Sequence, residues 1–369
     1  MAKKEIKPLA KKDFSLSAFK AKNNLSEGVK DKPLEWIKLG SAFHKATGMP
    51  GIPKGYVATV RGHSNTGKST LLQMAATECQ KMGILPIIID TENAWSWERA
   101  KLTGMEFTEV VDEETGEVIN YDGFFVYVNN DHLINNYGLK YIKNADEATV
   151  EDVAEFCNDM LSQQNDGDIP FEICFLFDSI GTLNCRKTLE SKTNNNMWVA
   201  GAYSSAFKSL ISHKIPSSRK ENKKYTNTFI AVQKVWMAPS TMPGGQPTVK
   251  HSGGDFWWFN PRLIIHVGGH ATNSLKNHTA TSGGKTYILG TETKIAVVKC
   301  QLTFDGTPLS GNTIVSTPHG YIYKDDIATY KKEKREYILE KLQATEESVV
   351  SYEEEGIITD EDVSGYISD

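Results

Sequence analysis

"GYVATVRGHSNTGKST", residues 55–70, decides the fold. Its first seven residues form a short strand that runs straight into a glycine, four residues, and Gly-Lys-Ser. That spacing, GxxxxGK[ST], predicts a phosphate-holding loop. Gly62 and Gly67 permit backbone angles and close approach that a side chain would block. The loop residues His63, Ser64, Asn65 and Thr66 then turn their N–H groups inward around phosphate oxygens. Lys68 neutralises the charge of the outer phosphates, and Ser69 offers a hydroxyl to Mg²⁺. The helix that begins with Ser69 and Thr70 directs its positive end at the anion. The expected ligands are ATP and Mg²⁺.

The flanks fit the loop. "STLLQMAATECQKMG" has helical spacing, with Leu71, Leu72, Met74, Ala75 and Cys79 on one stripe, and Gly83 ends it. "ILPIIID", 84–90, is a near-continuous apolar run, as expected of a strand buried on both faces. "FEICFLFDS", 171–179, is another, and "TFIAVQK", 228–234, a third. Strands alternating with helices predict an α/β fold: a P-loop ATPase core with a twisted, mainly parallel sheet and helices on both faces. The later strands, "RLIIHVGG" and "TKIAVVKCQL", come in quick succession and predict antiparallel additions at one edge. The segment between them, "GGHATNSLKNHTATSGG", reads as a flexible loop.

Organisation follows from composition. Residues 1–34 form a basic arm with one short amphipathic piece, "DFSLSAFKA". Residues 35–325 form the core, with a hairpin inserted around 105–130 that turns at Glu114-Thr115-Gly116. Residues 326–345 predict a charged helix, and 346–369 an acidic tail. The formal charge of −5 becomes +4 once the nine acids of residues 342–369 are set aside. Such a body is compatible with a polyanionic partner. No apolar run reaches the roughly 18 residues that span a bilayer, and the lysine-rich start lacks the apolar segment of a secretion signal. The five cysteines are odd in number and scattered, as expected of reduced thiols in the cytoplasm. Four histidines, 251, 266, 270 and 278, cluster in sequence, but their spacing fits no zinc site.

Asp178 stands at the carboxyl end of a buried strand, where a P-loop protein holds its metal; Ser179 follows it. Hydrolysis also needs a carboxylate that polarises the attacking water. Glu92 lies just past its strand, and Asp90 competes with it. Two polar segments follow the same sheet edge. Residues 184–197 carry Arg186, Lys187, Lys192 and Met197. Residues 234–254 carry Lys234, Met242, Lys250 and four glycines, Gly244, Gly245, Gly253 and Gly254. Cations there neutralise phosphates, glycine N–H groups bind them, and Met197, Trp236 and Met242 suit stacking on bases.

In this order the motifs resemble the RecA family of recombinases, including the UvsX-type recombinases of bacteriophages. "GMPGIPKGYVATVRGHSNTGKST" is similar to the family's first core strand and phosphate loop. "IIIDTENAWSWERAKLTGM" is similar to its second, which puts the catalytic glutamate at Glu92. "FLFDSIGTL" resembles the metal-binding strand, with Asp178 and Ser179 in place. "FIAVQK" resembles the strand ending in the γ-phosphate-sensing glutamine, here Gln233. "GGDFWWF" resembles the segment after the second DNA loop, and "ETKIAVVKC" the strand that reaches a neighbour's ATP, here through Lys299. Where bacterial RecA has two lysines on that strand, this chain has Lys299-Cys300-Gln301. The "FWWF" run is bulkier than the family's, and Trp257 and Trp258 are expected in packing.

The resemblance implies helical filaments on single-stranded DNA, ATP held between subunits, pairing with homologous duplex, and strand exchange. It also implies single-strand-binding and mediator proteins as partners, no membrane, and action at a nucleoid or phage-replication site. A hexameric helicase of the same superfamily is an alternative, but it needs a trans arginine near the end of the core, where Arg335 alone stands. An ATP-gated scaffold that coats single strands is another, though a pure clamp needs no Glu92.

Overall fold

Six apolar strands lie side by side and point the same way. The computed structural model describes residues 15–23, 28–192, 195–238, 248–268, 275–302 and 308–343. Along the chain come α1 (Leu16–Lys22), β1 (Trp36–Lys38), α2 (Gly40–Thr47), β2 (Gly51–Pro53), β3 (Val57–Gly62), α3 (Lys68–Lys81) and β4 (Leu85–Asp90). Then follow α4 (Trp97–Leu102), β5 (Thr108–Val111), β6 (Val118–Asp122), β7 (Val126–Asn129), α5 (Asn130–Asn136), α6 (Val150–Asp166) and β8 (Ile173–Ile180). Next are α7 (Arg186–Ser191), α8 (Asn196–Ala206), α9 (Ile215–Ser217), β9 (Thr228–Ala238), β10 (Thr248–His251), α10 (Phe256–Phe259) and β11 (Leu263–Val267). β12 (Lys276–Ser282), β13 (Lys285–Cys300), β14 (Ser310–Thr317), β15 (Gly320–Tyr323) and α11 (Ile327–Glu333) complete the series.

The main sheet has the order β15-β14-β13-β11-β3-β9-β8-β4-β7. From β11 to β7 every pairing is parallel, and β13, β14 and β15 join antiparallel at one side. This is the expected α/β architecture. Its driving force is burial on both faces. Ile87, Ile89, Phe175, Phe177 and Phe229 point to one side, against Phe156, Tyr203, Phe207 and Trp257. Ile88, Leu176, Ile230, Ala58 and Val60 point to the other, against Phe43, Leu71, Leu72, Ala75 and Ala76. Successive strand residues alternate between faces, so a continuous apolar run serves both helical layers at once.

Four expectations change. The loop between β11 and β13 contains a strand: β12 pairs with β13 from Lys276↔Glu292 to Ser282↔Lys285. Gly283 and Gly284, both at positive φ, make the two-residue turn, the geometry a tight hairpin prefers. β13 therefore starts at Lys285, eight residues before the expected "TKIAVV" run. Second, the charged helix is interrupted: α11 ends at Glu333, and residues 335–343 form a separate helical segment. Third, part of the basic arm is fixed. Lys32 N donates to Arg219 O at 2.8 Å, Glu221 N to Lys30 O at 3.0 Å, and Lys220 pairs with Asp31 at 2.8 Å. The acidic tail lies outside the described residues. No described helix is long and apolar enough to cross a membrane.

Fourth, Arg186 is not a free cation. α6 begins with a reciprocal cap in which Asp152 N donates to Thr149 Oγ1 and Thr149 N to Asp152 Oδ2. Asp152 is fully buried, and its other oxygen accepts Nη2 of Arg186 at 2.6 Å. Arg186 also pairs with Glu155 at 2.8 Å and lies over the Tyr141 ring at 3.5 Å. Its charge neutralises a buried carboxylate, so it locks α7 to α6. Arg186→Ala should strand that carboxylate and cost about 3 kcal/mol, read as a lower urea midpoint at unchanged slope.

Candidate active site

The phosphate loop is shaped by what stands behind it. A Cβ on Gly62 would lie 1.9 Å from the carbonyl oxygen of Val267 in the adjacent β11, so only glycine fits. Gly67 caps α3 at φ +95°, the left-handed region. Between them, Thr66 Oγ1 and Lys68 Nζ both donate to His63 O, at 2.9 and 2.5 Å. β14 and β15 brace the loop from outside: the Tyr321 hydroxyl donates to Gly67 O at 2.7 Å, and Thr70 and Ser316 share a hydroxyl contact at 2.9 Å. Neither Tyr321 nor Ser316 was signalled by any motif. Lys68 is buried, which pulls its pKa down to about 8 against the opposing effect of Asp178 and Glu92.

Next to the loop, Ser69 Oγ donates to Asp178 Oδ2 at 2.8 Å. Burial raises the Asp178 carboxyl to about 6, while the Ser69 bond works the other way and Glu92 adds to the rise. The hydroxyl and carboxylate are hard oxygen donors facing the loop's open side, a donor set that suits Mg²⁺. A Cβ at Gly62 or Gly67 would collide with Val267 O or Ser316 behind the loop, so its tight turn depends on both glycines. The residues present therefore fit a Mg-nucleotide.

Asp90 and Glu92 differ in their partners. Asp90 is buried, and its oxygens accept from Glu92 N at 3.2 Å, Ala94 N at 3.1 Å, Trp95 N at 2.8 Å and the Tyr127 hydroxyl at 3.1 Å. It organises the turn after β4 and has no oxygen left for chemistry. Glu92 is presented by that turn. One of its oxygens accepts from Ser179 Oγ, and the other pairs with Lys234 Nζ at 2.7 Å.

Beside the loop opens a cleft of about 680 Å³ lined by Asn65, Lys68, Thr70, Arg99, Tyr287 and Ser316, among others. Its far wall is the β12–β13 hairpin, so the element misread as a loop completes the cleft. Gln233 is level with Arg61, one residue before the phosphate loop. Its Nε2 donates to Ser252 O at 2.6 Å, tying it to the base of the second polar segment. Lys299 donates to Trp258 O and Phe259 O, both at 2.8 Å, and so caps α10. Trp257 is buried, as expected, and Trp258 stacks under Arg61 at 4.5 Å.

The second polar segment is built as a ladder at its base, with β10 pairing β9 from Thr248↔Ala238 to His251↔Val235. Lys250 and Trp236 are exposed there. Gly253 and Gly254 pack against Ile180, Trp257 and Ala200, where a Cβ would collide. Met242, Gly244 and Gly245 lie outside the described residues. In the first segment, Met197 is 82% exposed, Lys187 sits over the Trp198 ring at 4.3 Å, and Lys192 ends α7 in the left-handed region. Asp90→Ala should leave three amides without their acceptor and cost about 2–4 kcal/mol, measurable by urea unfolding without ligand.

Residues 19–119 match the family model of the RecA N-terminal domain. Protein RecA of Francisella philomiragia subsp. philomiragia is 37% identical over 78 residues, 21% of this chain and 22% of that protein. Protein RecA of Ureaplasma parvum serovar 3 is 29% identical over 96 residues, 25% of this chain and 29% of that protein. Protein RecA of Francisella tularensis subsp. novicida is 36% identical over 78 residues, 21% and 22% of the two chains. The matches thus span about a quarter of the length of these curated relatives. The matched region carries the phosphate loop and Glu92, and over that region the chain is similar to the RecA family.

Proposed function

We propose that this protein is an ATP-dependent homologous recombination protein. It polymerises on single-stranded DNA, pairs that strand with homologous duplex, and exchanges strands. The observation that carries this reading is the juxtaposition of Lys68, Ser69, Asp178, Glu92 and Gln233 at one sheet edge, with Gln233 bonded to the base of an exposed polar hairpin. A nucleotide site and a polynucleotide-facing element are then one residue apart on β9.

In this reading the loop N–H groups from His63 to Thr70 and the Lys68 ammonium hold the phosphates of ATP. Ser69 and Asp178 hold Mg²⁺, which when bound offsets phosphate charge. Glu92 orients the attacking water, with Ser179 fixing its carboxylate. Gln233 senses the outer phosphate and transmits its presence to residues 234–254. Lys187, Lys192, Met197, Lys234 and Lys250 face the DNA backbone and bases, with Met242 and the glycines of the same segment. Arg186 drops out, because its charge is already neutralised. Lys299 reaches a neighbour's nucleotide, and residues 1–34 dock on an adjacent subunit. The partners include single-strand-binding and mediator proteins, at the nucleoid or a phage-replication site.

Steady-state ATP hydrolysis with and without single-stranded DNA tests the reading. The wild type should turn over faster with DNA. Glu92→Gln should lower kcat by about 100-fold or more while a fluorescent ATP analogue binds with unchanged affinity. Negative-stain images with DNA and a non-hydrolysable nucleotide should show helical filaments. Closed rings or solitary particles would count against it.

A further inference from the structure

The site's carboxylate is bound by its own neighbours. Glu92 has both carboxylate oxygens engaged, by Ser179 Oγ on one side and by the Lys234 ammonium at 2.7 Å on the other. A water that is to be polarised must donate to one of those oxygens, so the cation competes with it directly. The two partners are unequally sheltered: the Glu92 side chain is 19% exposed and Lys234 42%. Glu92 is held by the turn that Asp90 organises, whereas Lys234 extends on a flexible stem from β9. Lys234 is the member that can leave.

Its backbone is tied to the polar hairpin. Ser252 N and Oγ both donate to Lys234 O, at 3.3 and 3.2 Å, and Ser252 Oγ also reaches Ile180 O at 2.9 Å. Ser252 O in turn accepts from Gln233. One serine therefore holds Gln233, Lys234, β8 and the end of β10 in a single arrangement. Two residues further along β9, Trp236 lies exposed across from the exposed Lys250. A phosphodiester chain on that face lies within reach of an ammonium that is already half in solvent.

We propose that Lys234 is a positioning residue that holds Glu92 out of use until polynucleotide phosphate draws its ammonium away, making hydrolysis depend on DNA. The inference rests on Glu92 as the water-orienting carboxylate, and it assigns to Lys234 a function beyond phosphate contact. Competition for one cation between a carboxylate and a phosphate couples the two sites without any larger rearrangement.

The test measures kcat and KM for ATP, with and without single-stranded DNA, in the wild type, Lys234→Met, Lys234→Gln and Lys234→Arg, with melting temperatures as a folding check. Both neutral variants should raise the DNA-free kcat about fivefold, the worth of a partly exposed ion pair, at unchanged KM. Their ratio of DNA-stimulated to DNA-free turnover should fall toward one, and Lys234→Arg should keep the wild-type ratio. The dependence of DNA affinity on salt should lose about one phosphate's worth of slope in the neutral variants. A wild-type ratio in a folded neutral variant would overturn the inference while leaving the ATPase reading intact, and so would a change confined to KM. No turnover in the wild type with either ligand would overturn both. Should the methionine variant unfold, the glutamine variant and the salt slope decide.

Discussion

A strand buried on both faces can place polar side chains only at its ends. β3, β4, β8 and β9 are such strands, and each carries a glycine or polar group at or near the same edge. β3 ends in Gly62, β4 in Asp90, β8 runs through Asp178 and Ser179, and β9 carries Gln233 and Lys234 before its exposed end. Their register brings these ends level. Asp90 lies across from Asp178, Gln233 across from Arg61, and Lys234 across from Gly62. Hydrophobic burial of the strand interiors thereby gathers two carboxylates, an amide, a lysine and a phosphate loop along one edge, and no separate interaction is needed to assemble them.

That gathering has an electrostatic cost, which is met locally. Asp178 is buried enough to raise its carboxyl to about 6, and Lys68 enough to fall to about 8. Each is offset by the other; Glu92 opposes the fall at Lys68 but adds to the rise at Asp178, and Lys234 adds a second cation. The loop lysine donates to His63 O, Asp178 accepts from Ser69, and Glu92 accepts from Ser179 and Lys234. Every group a nucleotide would use thus has a replaceable partner. A ligand at this edge would exchange hydrogen bonds and would not have to create them from unpaired groups.

Much of this was legible in the chain itself. GxxxxGKS after an apolar strand marked the loop, and the aspartate in "FLFDS" marked a carboxylate that the structure sets beside Ser69, because both are local patterns. The choice between Asp90 and Glu92 was not local. It depends on Tyr127 and on amides folded back from residues 92–95, and only packing reveals them. The Lys234–Glu92 pair joins residues 142 positions apart. Arg186 misled for a similar reason: composition counts charges, while its partners sit on α6, 31 and 34 positions earlier. β12 was missed because both of its faces are largely exposed. A strand with polar residues on both sides shows no period-2 hydrophobic signal, and Gly283-Gly284 was the sole local cue.

The elements that escaped detection are those that distinguish this chain's site from a bare phosphate loop. β12 and β13 wall the cleft beside Lys68, and β14 and β15 supply Ser316 and Tyr321 behind Gly67. The same antiparallel group is fastened to the parallel core through β11, whose Val267 carbonyl fixes the space available at Gly62. The loop is therefore gripped from two sides, by the parallel strands that end at it and by the antiparallel strands that lean on it. Its third side faces β9, where Ser252 ties the sheet edge to the hairpin base through Gln233 and Lys234. The loop is thus braced by packing on two sides, and on the third it neighbours a strand end tied to the hairpin base by side-chain hydrogen bonds.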